Sequence, residues 1–225
     1  MRTLYHWAFD PASRQARIAL TEAKLKFKLE AVNPWAPPES FTQRCIEGRP
    51  PALIDHTQDN ARMIAGSRAI CEYANDISKR LSLMPIDPFE RAEMRRLCDW
   101  FDTRLSEDVL GYILGERLEK SMNGGGAPDA EILQYGRQNL DFHLNYINWL
   151  LEQRSWIAAE QFSLADISAG AHLSCLDYFS EIPWKRYPRV KDWYQIFKSR
   201  PSVRPLLKDR LPSLLPPRHY SDLDF

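Results

Sequence analysis

The chain has 225 residues, 44% of them apolar and 27% charged, and its 30 Lys and Arg balance 30 Asp and Glu to a formal net charge of zero. That length allows one large domain or two small ones with a real core, while the absence of a net field disfavours a nucleic-acid partner. No apolar run is long enough to span a bilayer and MRTLYHWAFD lacks the layout of a signal peptide, so a cytoplasmic chain without membrane insertion is expected.

In chain order, TLYHW suits a strand, and Ala16, Ala19, Leu20 and Ala23 recur at the i, i+3, i+4, i+7 spacing of one helix face. FKLEAV alternates as a second strand, and an irregular loop with a short helix follows. ALID and RMIA flank the turn-like HTQDN as a hairpin, and SRAICEYANDISK returns to a helix. Two prolines in MPIDPFERA stop that helix and mark a linker. Beyond it, Met94, Leu97, Cys98, Phe101 and Leu105 form one helical stripe and Leu140, Leu144, Ile147 and Leu151 another. NGGGAP between them lacks the preceding strand and the GK[ST] ending of a phosphate loop, and reads as an interhelical turn. In FSLADISAG, Ser163 and Asp166 have the spacing of a reciprocal capping box, a structural device. The last folded segment is YPRVKDWYQIFKSRPSVRPLL, followed by the proline-containing KDRLPSLLPPRHYSDLDF. Cys45, Cys71, Cys98 and Cys175 are widely separated, with no His at ligand spacing, which predicts buried apolar residues and no metal.

RPPALID, GSRAI, MPIDPFERA and FSLADI, in that order, resemble segments of the glutathione S-transferase superfamily. The resemblance implies an α+β fold: a thioredoxin-like N-terminal domain (βαβ-ββα, mixed sheet) over 1–80, an all-α domain over 88–207, and an extended tail, 208–225, as an interaction segment. It also implies that Pro51 is the cis proline beside the backbone groups that pair with glutathione, and that Ser67 is the serine that receives the γ-glutamyl carboxylate at a helix N-terminus. Ser67 is equally an ordinary N-cap. Two positions depart from the pattern. Gly66 replaces the Glu or Gln that holds the tripeptide's ammonium group, and Asp10, placed by Pro11, occupies the Ser or Cys slot, where its charge would repel a thiolate. The expectation is therefore no catalysis, no cofactor and no glutathione. The alternative is a glutathione-dependent enzyme of atypical site using Tyr5 in the first strand, or Ser13, expected to be solvated.

Two features exceed a minimal transferase. VNPWAPPES puts Trp35 on a loop stiffened by prolines, an interface anchor or a residue packed on its own domain or on a dimer mate. In the tail, Tyr220, Leu223 and Phe225 alternate with Asp222 and Asp224 as in a docked peptide, or as in a tail folded over its own helices. With NPW and PPRHYSDLDF, the chain resembles an alphaproteobacterial family of FtsZ-binding division proteins of transferase-like fold. That likeness implies a homodimer at the division site that binds FtsZ filaments, promotes their curvature and needs its C-terminal tail to promote constriction; the tail is expected to engage a further division protein.

Overall fold

The computed structural model describes residues 1–57, 60–78, 82–212 and 214–225. Gln58 and Asp59 of the expected hairpin turn, Lys79 at the expected helix end, Arg80 at the end of the expected first domain, Leu81 just beyond it, and Ser213 lie outside them.

Strand β1 (Arg2–His6) leads into helix α1 (Pro11–Glu22), strand β2 (Lys28–Ala31) and the short helix α2 (Glu39–Thr42); strands β3 (Ala52–Asp55) and β4 (Arg62–Ala65) and helix α3 (Ser67–Ile77) complete the first unit, Met1–Leu83. The sheet order is β2-β1-β3-β4, with β1 parallel to β2 and antiparallel to β3, and β3 antiparallel to β4. Ala52, Leu53 and Ile54 of β3 are buried, as an apolar run between two neighbours should be, and Asp55 is buried against Arg2, whose Nε donates to it at 2.9 Å. Helices α1 and α3 pack together, their Ala16, Ala19, Leu20, Ile70 and Ala74 fully buried at the predicted helical spacing.

The second unit, Met84–Phe225, begins with α4 (Pro88–Asp99), which Asp87 caps through the amides of Phe89 and Glu90. The helix continues without a break through a wide-turned π-helical stretch (Trp100–Leu110), α5 (Gly111–Leu114), a second π-helical stretch (Gly115–Glu119) and α6 (Lys120–Met122). Phe101, Leu105 and Val109, buried at four-residue steps, keep to the core because a turn wider than 3.6 residues carries that spacing along one side. Helix α7 (Ala130–Gln153) buries Leu140, Leu144 and Ile147 as expected; its next core residue is Leu150, with Leu151 half-buried.

Every residue of α8 (Leu164–Tyr178) is buried, so its first amides have no water to bond and need a partner inside the protein. The capping box forms. Asp166 accepts from the Ser163 amide at 2.9 Å and the Ser163 hydroxyl at 3.1 Å, from the Ile157 amide at 2.9 Å, and from the Trp193 indole at 3.0 Å. Trp193 belongs to α9 (Pro188–Ser199), which approaches α8 at Gly170, where an added Cβ would sit 2.2 Å from the Phe197 ring. The chain ends in α10 (Arg218–Ser221) and four further residues. All four cysteines are buried. Among the described residues no helix is long and apolar enough to cross a membrane.

Burial pushes the Asp166 carboxyl up to about 6, against four donors that favour its charged form. A carboxyl raised in the folded state holds a proton that the unfolded chain has released. Its contribution is thus full below the ordinary carboxylate range and is lost as pH rises through about 6. Asp166→Ala is expected to cost about 3 kcal/mol by stranding buried donors. Chemical denaturation should find that cost larger at pH 4 than at pH 7; a cost that grows toward pH 7 would overturn this assignment.

Candidate functional site

The turn from β1 into α1 carries the slot where catalysis would sit. Pro11 suits the first helical position because its missing N–H has no partner there. Asp10, extended at φ −98° and ψ 121°, accepts from the Ser13 amide at 2.8 Å and the Ala12 amide at 3.3 Å. The carboxylate in the nucleophile slot is a helix cap. Beneath it Arg14 is fully buried, donates from Nε to the Ala8 carbonyl at 2.7 Å, and lies 4.8 Å over the Phe9 ring, which fixes the path of the turn.

The two alternative nucleophiles sit in different surroundings. Ser13, expected to be solvated, is instead fully buried, and its Oγ accepts from the Trp7 amide at 3.1 Å. The correction has a local cause: the first turn of α1 folds back under the end of β1, whose Trp7 amide needs an acceptor. Tyr5 packs its ring 5.3 Å from Phe41, against a cluster of Val32, Cys45 and Ala52.

The Pro50–Pro51 bond is cis, and the Pro51 carbonyl accepts from the Gly66 amide at 3.0 Å. Because the residue before Pro51 is itself a proline, it has no N–H with which to pair a peptide-like ligand. Ser67 is the first residue of α3 and not its cap; the cap position belongs to Gly66, at φ 83° and ψ 144°, with no side-chain bond to the helix amides. No atom lies within 4 Å of a Cβ built on Gly66, so the space for a larger side chain is open and only the backbone resists one.

Trp35 is half-buried, edge-on to Trp7 at 5.8 Å, and its amide donates to Asn33 Oδ1 at 3.0 Å, a local turn that stiffens the loop. The Trp7 indole N–H is buried with no hydrogen-bond partner among the described residues.

The tail lies on its own unit. Tyr220, expected at a partner surface, is fully buried, donates to the Leu206 carbonyl at 3.3 Å and meets Tyr178 edge-on at 5.1 Å. Tyr178 in turn donates to the Leu214 carbonyl at 2.6 Å and accepts from the Leu211 amide at 3.0 Å, so a core tyrosine gathers the whole segment. Leu223 and Phe225 are half-buried, and Asp222 and Asp224 are exposed.

The sequence reading overlooked a surface of α7. Ile132, Tyr135, Phe142, Tyr146 and Trp149 occupy five of the six positions 132, 135, 139, 142, 146 and 149 that a coiled-coil seam would use, Asn139 holding the sixth, a signal present in the sequence but obscured by the core stripe on the same helix. Tyr135, Phe142 and Trp149 are 51%, 59% and 53% exposed. Trp100 joins the patch, 5.0 Å from Tyr146 and 6.2 Å from Phe142, and donates to His143 Nδ1 at 3.1 Å.

Sequence models of the glutathione S-transferase N-terminal and C-terminal domains match residues 11–77 and 127–210. The chain is 46% identical over 224 residues to FtsZ-localized protein A of Caulobacter vibrioides, covering 100% of this chain and 98% of that one. Among solved structures it is similar to FzlA from C. crescentus, at TM-score 0.97 and 46% identity over 100% of this chain and 99% of that one. It is also similar to a glutathione S-transferase from Rhodospirillum rubrum F11, at TM-score 0.95 and 41% identity over 100% of both.

Two substitutions test the geometry of the turn and of α3. Asp10→Ala should cost about 1 kcal/mol, whereas Asp10→Ser, which keeps a capping oxygen, should stay within about 0.5 kcal/mol of the parent. Gly66→Ala should cost about 1 kcal/mol although nothing obstructs it, because an L residue is strained at that φ. Urea denaturation of the three variants checks both.

Proposed function

The chain belongs to the glutathione S-transferase family, and from that premise we propose that it serves as a cell-division adaptor and not as a conjugating enzyme: a cytoplasmic homodimer that binds FtsZ filaments at the division site, promotes their curvature and supports constriction. The observation that carries this reading is the likeness to FtsZ-localized protein A along the whole of both chains. The site supports it from the other side. The residue in the nucleophile slot is spent on capping α1, Ser13 is buried, and Pro50 withholds the N–H that a bound tripeptide would use. Pro51, Gly66 and Ser67 are then remnants of a ligand site, and the adaptor needs no cofactor.

Trp35 is assigned to the FtsZ contact, since a tryptophan already held by Trp7 and the Asn33 turn loses little freedom on binding. Asp222, Leu223, Asp224 and Phe225 are assigned to a further division partner. Self-association is assigned to the aromatic face of α7, where exposed rings in a seam pattern leave apolar area that a second copy would cover.

One observation favours the enzyme reading: the Rhodospirillum rubrum structure of 41% identity carries the name glutathione S-transferase. Calorimetry separates the two readings. The adaptor reading expects no glutathione binding by the natural chain at millimolar ligand, and tight binding with turnover would overturn it.

Co-sedimentation with FtsZ polymers is expected to retain the protein, and Trp35→Ala to weaken that retention by about 30-fold in affinity, the loss typical of a central aromatic anchor. Light scattering is expected to give a dimer that Phe142→Glu or Trp149→Glu converts to monomer without a lower melting temperature. A monomeric parent would remove the dimer from the reading and leave FtsZ binding to be judged on its own.

A further inference from the structure

The end of the chain is seated in the manner of a bound peptide. Trp184 and Tyr194 stack at 4.7 Å with an interplanar angle of 17°, and both are held from behind by the fully buried Asp177, which accepts from the Trp184 indole at 2.9 Å and the Tyr194 hydroxyl at 3.2 Å. The Phe225 ring stands edge-on to Trp184 at 5.2 Å and to Tyr194 at 6.3 Å. Two cations face the same ring, Lys198 Nζ at 3.8 Å from its centroid and Lys191 Nζ at 5.3 Å. Backbone is read as well: Gln195 Nε2 donates to the Phe225 carbonyl oxygen at 3.0 Å, and Lys198 Nζ donates to the carbonyls of His219 at 2.9 Å and Asp222 at 2.5 Å. An aromatic slot, cations on its wall and donors for main-chain oxygens are the elements of a peptide-recognition site.

The occupant has a buried root and a more exposed end. Tyr220 is fully buried, whereas Asp222 and Asp224 are exposed and Phe225 is half-buried. Asp222 is extended at φ −80° and ψ 129°, so rotation there lifts three residues and leaves Tyr220 in place. The seat also keeps its shape when the end lifts, because Asp177 holds Trp184 and Tyr194 independently of Phe225.

We propose that the seat formed by Trp184, Tyr194, Lys191 and Lys198 is a peptide-binding site for a partner's short acidic segment carrying an aromatic residue, covered in cis by Asp222–Phe225. The ligand class follows from the cis occupant: its ring fills the slot and faces both lysines, and the negative charge of Asp222 acts favourably on the Lys198 ammonium. As an intramolecular competitor at an effective concentration in the millimolar range, the covering end holds a partner's segment off until it is itself lifted. This inference does not depend on the division reading.

The test is fluorescence anisotropy of a labelled peptide with the sequence SDLDF, titrated with the full chain and with full-length Phe225→Ala, which uncovers the seat at a terminal position outside the core. The peptide should bind Phe225→Ala at least tenfold more tightly than the natural chain, and SDLDA should lose at least tenfold on the same variant. Lys191→Ala added to Phe225→Ala should weaken SDLDF severalfold through a side chain that the core does not need. Equal binding to the natural and Phe225→Ala chains, with melting temperatures matched, would overturn the proposal. So would self-association of the natural chain that Phe225→Ala abolishes, since the seat would then belong to a second copy's end.

Discussion

A buried carboxylate organises the helical unit. Asp166 takes four hydrogen bonds from three separate pieces of chain: the Ile157 amide before α8, Ser163 at its cap, and the Trp193 indole on α9. Helix α8 needs this because all of its residues are buried, and first-turn amides without water or a cap would each cost on the order of 1–3 kcal/mol. The bond to Trp193 sets the rotation of α9, and the rest of that helix face follows. Phe197 lies against Gly170 and stacks on Trp193 at 5.7 Å, Tyr194 turns toward Trp184, and Lys198 comes to rest beneath the tail. One local device thus fixes the position of a surface well beyond its own reach.

In the sheet unit a carboxylate again takes the first amides of a helix, at the turn from β1 into α1. A strand-to-helix turn exposes the first amides of a helix, and such amides stabilise whatever negative group lies over them. In a reactive turn that group is a bound or developing anion. Here Asp10 supplies it permanently, and the amides of Ala12 and Ser13 are already engaged. Filling the slot with a carboxylate therefore stabilises α1 and sets a permanent negative charge over its first amides in one step. The packing of the fold does not depend on which group fills this slot, which is why a shared fold is a weak guide to activity and the site a better one.

Much of this was legible in the residues, and the parts that were not have identifiable causes. ALID and RMIA matched β3 and β4 to the residue because sharp turn signals bound each of them. The capping box and the Met94–Leu105 stripe were readable because their spacings are local. Ser67 was not resolved from Gly66, since either residue type suits a helix start and only the backbone angle assigns the cap to the glycine. Ser13 looked like a surface residue of α1 because its burial is decided by the Trp7 amide across the turn. Tyr220 failed for a related reason. Alternation reveals that one side of a segment is apolar but not which residues find a core, and that outcome rests on Tyr178 and Leu206, far away in sequence.

Helix α7 shows how two patterns in one segment divide the labour. Leu133, Leu140, Leu144, Ile147 and Leu150 satisfy the chain's own core, at the spacing of a single straight helix. Ile132, Tyr135, Phe142, Tyr146 and Trp149 follow the slightly shorter repeat of a seam between helices, and the fold leaves three of their rings about half in water. A helix that is apolar on both sides leaves one of them partly in water within its own unit. The composition bears on the same point. A chain of zero net charge has no long-range repulsion between its copies, so a face of this kind meets no electrostatic barrier to pairing. The neutrality that argues against a polyanionic partner is also the condition under which an aromatic seam can be used between like molecules, and both follow from the same count of charges.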